Sequence, residues 1–277
     1  MERDMRRLTG FECEGAWCAA TLDEADKSTG LLIVSGGNEI RCGAHAGQAA
    51  LAAHFAALGY PVFRYDRRGV GESEGANCGF ESSAADIAAA AAAFRVEAPH
   101  LERLVAFGNC DAASALALFH SGLAIDHLIL ANPWVIETQS EADAPTLPSA
   151  AAIRARYWHR LKNPRSLIDL LTGKINLSKL ASGIKQATQS EKPTALAYRL
   201  ADALAAGPVP TTILLAQRDT TAMAFHAAWQ SDVFKALRHK GTCPLEALDS
   251  ASHSFADPDS KAWLRQKIRE ALDSEGG

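Results

Sequence analysis

One stretch of this chain carries the residue types of a covalent catalyst in the order that such chemistry needs. Ala106 to Ser114 reads AFGNCDAAS, with Gly108 two places before Cys110 and Ala112 two places after it. A nucleophile held at the tip of a sharp strand-to-helix turn needs minimal side chains at those two places, because the turn is strained and crowded. A thiolate is a stronger nucleophile than a hydroxyl, and both a helix N-terminus and a neighbouring histidine favour its formation. Taken alone, the same string is equally compatible with a cysteine that packs as a small hydrophobe. The catalytic reading therefore requires partners.

Two partners stand later in the chain, each just past a strand-like run. Asp219 lies in AQRDTTA after TTILLAQ, and His253 lies in DSASHSF after CPLEALD. Singly, Asp219 reads as the N-cap of a helix starting near Thr221, and His253 as one of nine histidines in a loop. Jointly they complete the order nucleophile, acid, histidine, which selects a Cys110–Asp219–His253 triad. Asp111 sits one place too late to be an aspartate nucleophile. The oxyanion donors expected with this triad are the backbone N–H of Asp111 and one from Ser35-Gly36-Gly37-Asn38, either Gly37 or Asn38. A plain tight turn is the other reading of those glycines. The cysteines and histidines lack zinc spacing, so neither a metal nor an organic cofactor is called for.

These residues have to be delivered by an alternating scaffold, and the hydrophobic pattern supplies one. LLIVSGG (Leu31 to Gly37), a helical period over Ala44 to Leu58 and the strand-like Pro61 to Tyr65 form one βαβ unit. A helix from about Ser82 to Val96, a strand ending at Gly108 and a helix from Cys110 to about His120 form the next. Strands follow at His127 to Pro133 and Thr211 to Gln217, and Thr9 to Leu22 reads as an opening hairpin around Glu14-Gly15. The pattern predicts an α/β-hydrolase fold, a mostly parallel sheet with helices on both faces and its chemistry at the carboxyl ends of the strands. Residues 1–133 and 208–277 are expected to form the core and 134–207 an inserted cap. That insert holds ten Lys/Arg against six Asp/Glu, either a solvated helical face or a surface that favours anionic substrates. YDRRGVGESEG (Tyr65 to Gly75) resembles a turn common in α/β-hydrolases, where Asp66 and Arg68 would tie the backbone. No Gly-Lys-Ser/Thr follows it, which argues against a phosphate loop.

Composition narrows the partner. The 277 residues are 48% hydrophobic and 22% charged, with a net charge of −4, so a sizeable core and a small-molecule acyl substrate are expected rather than nucleic acid. The most apolar window, Ala84 to Phe94, is too short for a bilayer span. MERDMRRLTG lacks the pattern of a secretory signal, and the six scattered cysteines point to reduced thiols in the cytoplasm. Oligomeric state is not addressed by the pattern.

The chain also resembles a narrower family, the first type of exosortase A system-associated hydrolase of bacteria that export PEP-CTERM proteins and make exopolysaccharide. The likeness rests on GGNEIRCGAH (Gly36 to His45), FRYDRRGVGESEG (Phe63 to Gly75), GNCDAASAL (Gly108 to Leu116), LILANPWV (Leu128 to Val135), QRDTTAMAF (Gln217 to Phe225) and the HSF at His253. That family carries Cys at the elbow, usually has Gly where this chain has Ala112, and has a Tyr-Arg-Val-Gly-like run in place of Ile40-Arg41-Cys42-Gly43. The resemblance implies a bacterial, cytoplasmic enzyme. From the residues themselves, hydrolysis of an ester or thioester through an acyl-enzyme is expected. The rivals are acyl transfer to an alcohol, amine or sugar hydroxyl, and a non-catalytic hydrolase-fold protein that binds a partner.

Overall fold

The apolar runs form strands because successive side chains feed two separate cores. The computed structural model describes residues 6–136, 193–207 and 209–274. It opens with an antiparallel hairpin, β1 (Arg6–Cys13) and β2 (Ala16–Asp23). The turn residues Glu14 and Gly15 both have positive φ, at 49° and 79°, the backbone that matches the twist of paired strands. Then come β3 (Thr29–Val34), β4 (Val62–Tyr65), β5 (Arg103–Asn109), β6 (His127–Ala131), β7 (Thr211–Ala216) and β8 (Leu245–Leu248). The sheet has eight strands in the order β1-β2-β4-β3-β5-β6-β7-β8. β2 meets β4 antiparallel, and β4 through β8 are parallel throughout.

In β3, Leu32 and Val34 enter one core while Leu31 and Ile33 enter the other. Leu104 and Ala106 part from Val105 and Phe107 in the same way in β5, and Ile213 and Leu215 from Leu214 and Ala216 in β7. Burial on both faces explains why these strands read as continuous apolar runs. The first core is roofed by α2 (Ala84–Glu97), α3 (Asp111–Phe119), α4 (Ala195–Ala206), α5 (Thr220–Gln230) and α6 (Lys235–Lys240). The second is roofed by α1 (Gly47–Ala57) and α7 (Pro258–Asp273). This is the α/β-hydrolase fold. Most of the expected cap lies outside the described residues; of its C-terminal end, α4 packs Leu196, Ala197, Leu200 and Leu204 into the first core and contacts α3. No described helix is long and apolar enough to cross a membrane.

The register makes the carboxyl ends of the strands flush. Val34 pairs with both Tyr65 and Gly108, Asn109 with Ala131, and Ala216 with Leu248. The loops carrying Gly37, Cys110, Asp219 and His253 therefore leave the sheet along one edge. The turn after β4 is tied as its residues imply. Asp66 is fully buried, accepts from the backbone of Glu72 at 3.2 Å and pairs with Arg41. Arg68 pairs with the buried Asp86 of α2 at 3.0 Å, and the Arg68 N–H donates to the same carboxylate at 2.9 Å. Removing one member of a buried pair leaves the other uncompensated, at about 3–5 kcal/mol for fully buried pairs. Arg68 is partly exposed, so Asp86→Ala should cost toward the lower end, about 2–3 kcal/mol, read as a lowered urea midpoint with unchanged slope.

Candidate active site

Cys110 occupies a backbone conformation that an L-residue adopts only under constraint, φ 62° and ψ −128°, between the last residue of β5 and the first of α3. It is held there from both sides. Its N–H donates to the Ala131 carbonyl at 2.9 Å, and its carbonyl accepts from Trp134 at 3.2 Å. The crowding anticipated at the elbow is present. A Cβ on Gly108 would lie 2.8 Å from the backbone of Ala112, and Ala112 is itself buried. Gly108→Ala should therefore destabilise by about 1–3 kcal/mol, the usual cost of overpacking, measured by urea denaturation.

Asp219 and His253 converge on this turn. The His253 Nδ1 lies 3.0 Å from the Asp219 Oδ2, and the ring interacts electrostatically with Cys110. Asp219 at the same time caps α5, accepting from the Ala222 N–H at 3.0 Å. One carboxylate thus both caps the helix and contacts the imidazole. The Asp219 hydrogen bond first and the Cys110 interaction second push the His253 pKa up to about 10, against a smaller opposing effect of burial. His253 is then an imidazolium at neutral pH.

Two asparagines that the sequence pattern did not single out hold the histidine loop. Asn132, at φ 42° just past β6, donates from Nδ2 to the His253 carbonyl at 3.0 Å and to Asn109 Oδ1 at 3.2 Å. Asn109, immediately before Cys110, donates to the same carbonyl at 3.2 Å. A polar residue closing an apolar strand, and Asn's tolerance of positive φ, were the available signals. Arg67 was also overlooked between Asp66 and Arg68. It is buried, and its Nη2 donates to the Gly37 carbonyl.

The expected oxyanion donors are near one another, and one is already engaged. Gly37 has φ 56°, and its N–H donates to the Asp111 Oδ1 at 2.6 Å. The Glu39 N–H closes a tight turn onto the Gly36 carbonyl at 3.0 Å. Asn38 is tethered through its side chain, which accepts from Asn77 Nδ2 at 2.7 Å.

The linkage between His253 and stability has a definite sign. A pKa raised in the folded state stabilises fully below the unfolded value near 6.5, and that contribution is lost as pH rises through about 10. The thermal midpoint of the wild type relative to His253→Gln should therefore fall from pH 6 to pH 10. An unchanged difference would contradict the hydrogen-bonded imidazolium.

Comparison with known proteins agrees with this architecture. An esterase of Pyrococcus furiosus superposes with a TM-score of 0.66 at 14% identity, covering 98% of this chain and 92% of that one. The thioesterase domain from the curacin biosynthetic pathway gives 0.57 at 15%, over 95% and 99% of the two chains. Est1E of Butyrivibrio proteoclasticus, solved with ferulic acid bound, gives 0.60 at 12%, over 96% and 97%. No curated protein matches the sequence. The model of the family described as serine aminopeptidase, S33, matches residues 28–253, from the start of the parallel sheet through His253, and the chain belongs to that family.

Proposed function

We propose that this protein hydrolyses an ester or thioester through an acyl-enzyme on Cys110. The observation that carries the reading is the His253 ring, 3.0 Å from the Asp219 carboxylate and close enough to Cys110 for the two to interact electrostatically. Cys110 sits at a backbone turn whose strain has no evident purpose in packing alone. His253 holds the proton of Cys110 from the start, and the thiolate sulfur of that pair attacks the carbonyl carbon. Backbone N–H groups of Asp111 and of Gly37 or Asn38 receive the oxyanion. Collapse breaks the bond to the leaving alcohol or thiol, which takes the proton from His253. A water then gives its proton to His253, attacks the acyl carbon and returns the sulfur. Asp219 keeps the imidazole oriented and stabilises its charged form.

Family membership and the esterase and thioesterase activities named for the similar folds support an acyl substrate. The exosortase and exopolysaccharide setting is proposed on the motifs shared with that hydrolase type, and an anionic substrate on the basic excess of residues 134–207.

The test is intact-mass detection of an acyl adduct after mixing with p-nitrophenyl acetate and with a short acyl thioester. Cys110→Ala should give no adduct while the thermal midpoint moves by no more than about 3 kcal/mol equivalent. Cys110→Ser should retain the fold and turn over more slowly. At pH 7 iodoacetamide should label Cys110 faster than the exposed Cys78. Cys13, Cys18 and Cys243 should be slowest, because burial raises their thiol pKa values, that of Cys18 to about 11. Wild-type turnover in both Cys110 variants would overturn the mechanism. Faster adduct decay with an added alcohol or amine, giving the acylated acceptor, would replace hydrolysis by transfer.

A further inference from the structure

The Gly37 N–H, one of the groups expected to hold a substrate oxyanion, is turned toward a side chain of the protein itself. Asp111 follows Cys110 directly, and its carboxylate folds back over the start of α3. Its Oδ1 accepts from the Gly37 N–H at 2.6 Å. The fit is close. A Cβ on Gly36 would lie 2.5 Å from that Oδ1 and 2.8 Å from the Asn109 carbonyl, so the loop reaches the carboxylate only because residue 36 is glycine. Gly37 is pinned from its other end by Arg67, which is 8% exposed and whose Nε has no hydrogen-bond partner among the described residues.

We propose that the Asp111 carboxylate is the resting occupant of the oxyanion site, and that acylation proceeds only when it yields the Gly37 N–H to the substrate. This rests on Cys110 being the nucleophile. A carboxylate and a developing oxyanion carry the same charge and compete for the same donors, and at such separations their repulsion is strong in a partly buried site. The site is thereby selective. A weakly polarised carbonyl does not displace an anion from preorganised amides, whereas a substrate whose remaining contacts hold Asp111 away from Gly37 does. Desolvation raises the Asp111 pKa, with the Gly37 hydrogen bond opposing it, so the carboxylate is less firmly charged than an exposed one and easier to dislodge.

The experiment compares wild type, Asp111→Asn and Asp111→Ala by stopped-flow acylation with p-nitrophenyl acetate and by iodoacetamide alkylation, both taken at their pH-independent plateaus. Loss of one oxyanion donor typically costs about 10²–10³ in kcat, so freeing one should speed acylation at least about tenfold in Asp111→Ala. Asp111→Asn keeps a neutral acceptor at Gly37 and should fall between. Alkylation attacks a saturated carbon and develops no oxyanion, so it should change by less than about threefold, which a general loosening of the elbow would not reproduce. Affinity for an alkyl trifluoromethyl ketone, which forms a tetrahedral adduct in the hole, should rise in parallel with acylation. Asp111→Asn preserves shape and decides the matter if Asp111→Ala does not fold. If the wild type is acylated at Cys110 and neither variant is faster, Asp111 merely supports the loop and this proposal alone fails. If no form is acylated at Cys110, the nucleophile assignment fails first and takes the proposal with it.

Discussion

The backbone reversal at Cys110 is the constraint on which the rest of the site depends. A non-glycine residue at φ 62° and ψ −128° costs about 1–3 kcal/mol and persists only when its surroundings over-determine it. Here they do so through the bonds to Ala131 and Trp134 and through the close approach of Gly108 to Ala112. The reversal lifts one side chain clear of a sheet that is buried on both faces. A cysteine in ordinary strand or helix geometry at the same place would have been one more packed sulfur, as Cys18 is.

Once the elbow is set, the remaining groups are held by hydrogen bonds that serve two ends at once. Asp219 caps α5 and receives the imidazole of His253. Asn132 accepts from Ala216 at the end of β7 and donates to the carbonyl of His253, so the strand that leads to Asp219 and the loop that carries His253 are fixed by a single amide. Sharing of this kind limits independent movement of the three side chains. It also means that changes at the asparagines act on His253 through its backbone rather than through its ring.

Two carboxylates flank one thiol, and their effects differ in sign because of where they point. Asp219 faces the imidazole and favours the positive charge that forms there. Asp111 faces the amide of Gly37, a group proposed to receive negative charge. Arg67, anchored on the Gly37 carbonyl, places a positive charge near Asp111 that partly offsets its burial. The field over Cys110 is thus a balance between neighbours only one residue apart in the case of Asp111 and more than a hundred residues away in the case of Asp219.

Much of this architecture was legible in the chain. The alternation of apolar runs with helical periods implied a parallel sheet covered on both faces, because only double-sided burial allows strands without polar positions. The spacing of Gly108, Cys110 and Ala112 implied the elbow, because no bulkier neighbour fits so tight a turn. The meeting of Asp219 with His253 was legible through chain order, since each follows a strand whose end must lie on the same edge. The anchoring of His253 through Asn109 and Asn132 was decided only in three dimensions, since amides from two strands converge on a carbonyl far along the chain. So was the engagement of Gly37 by Asp111, because a side chain's direction at a helix N-terminus depends on the loop that meets it. Local residue types state which groups are available; the register of the sheet and the approach of distant loops decide which of those groups touch.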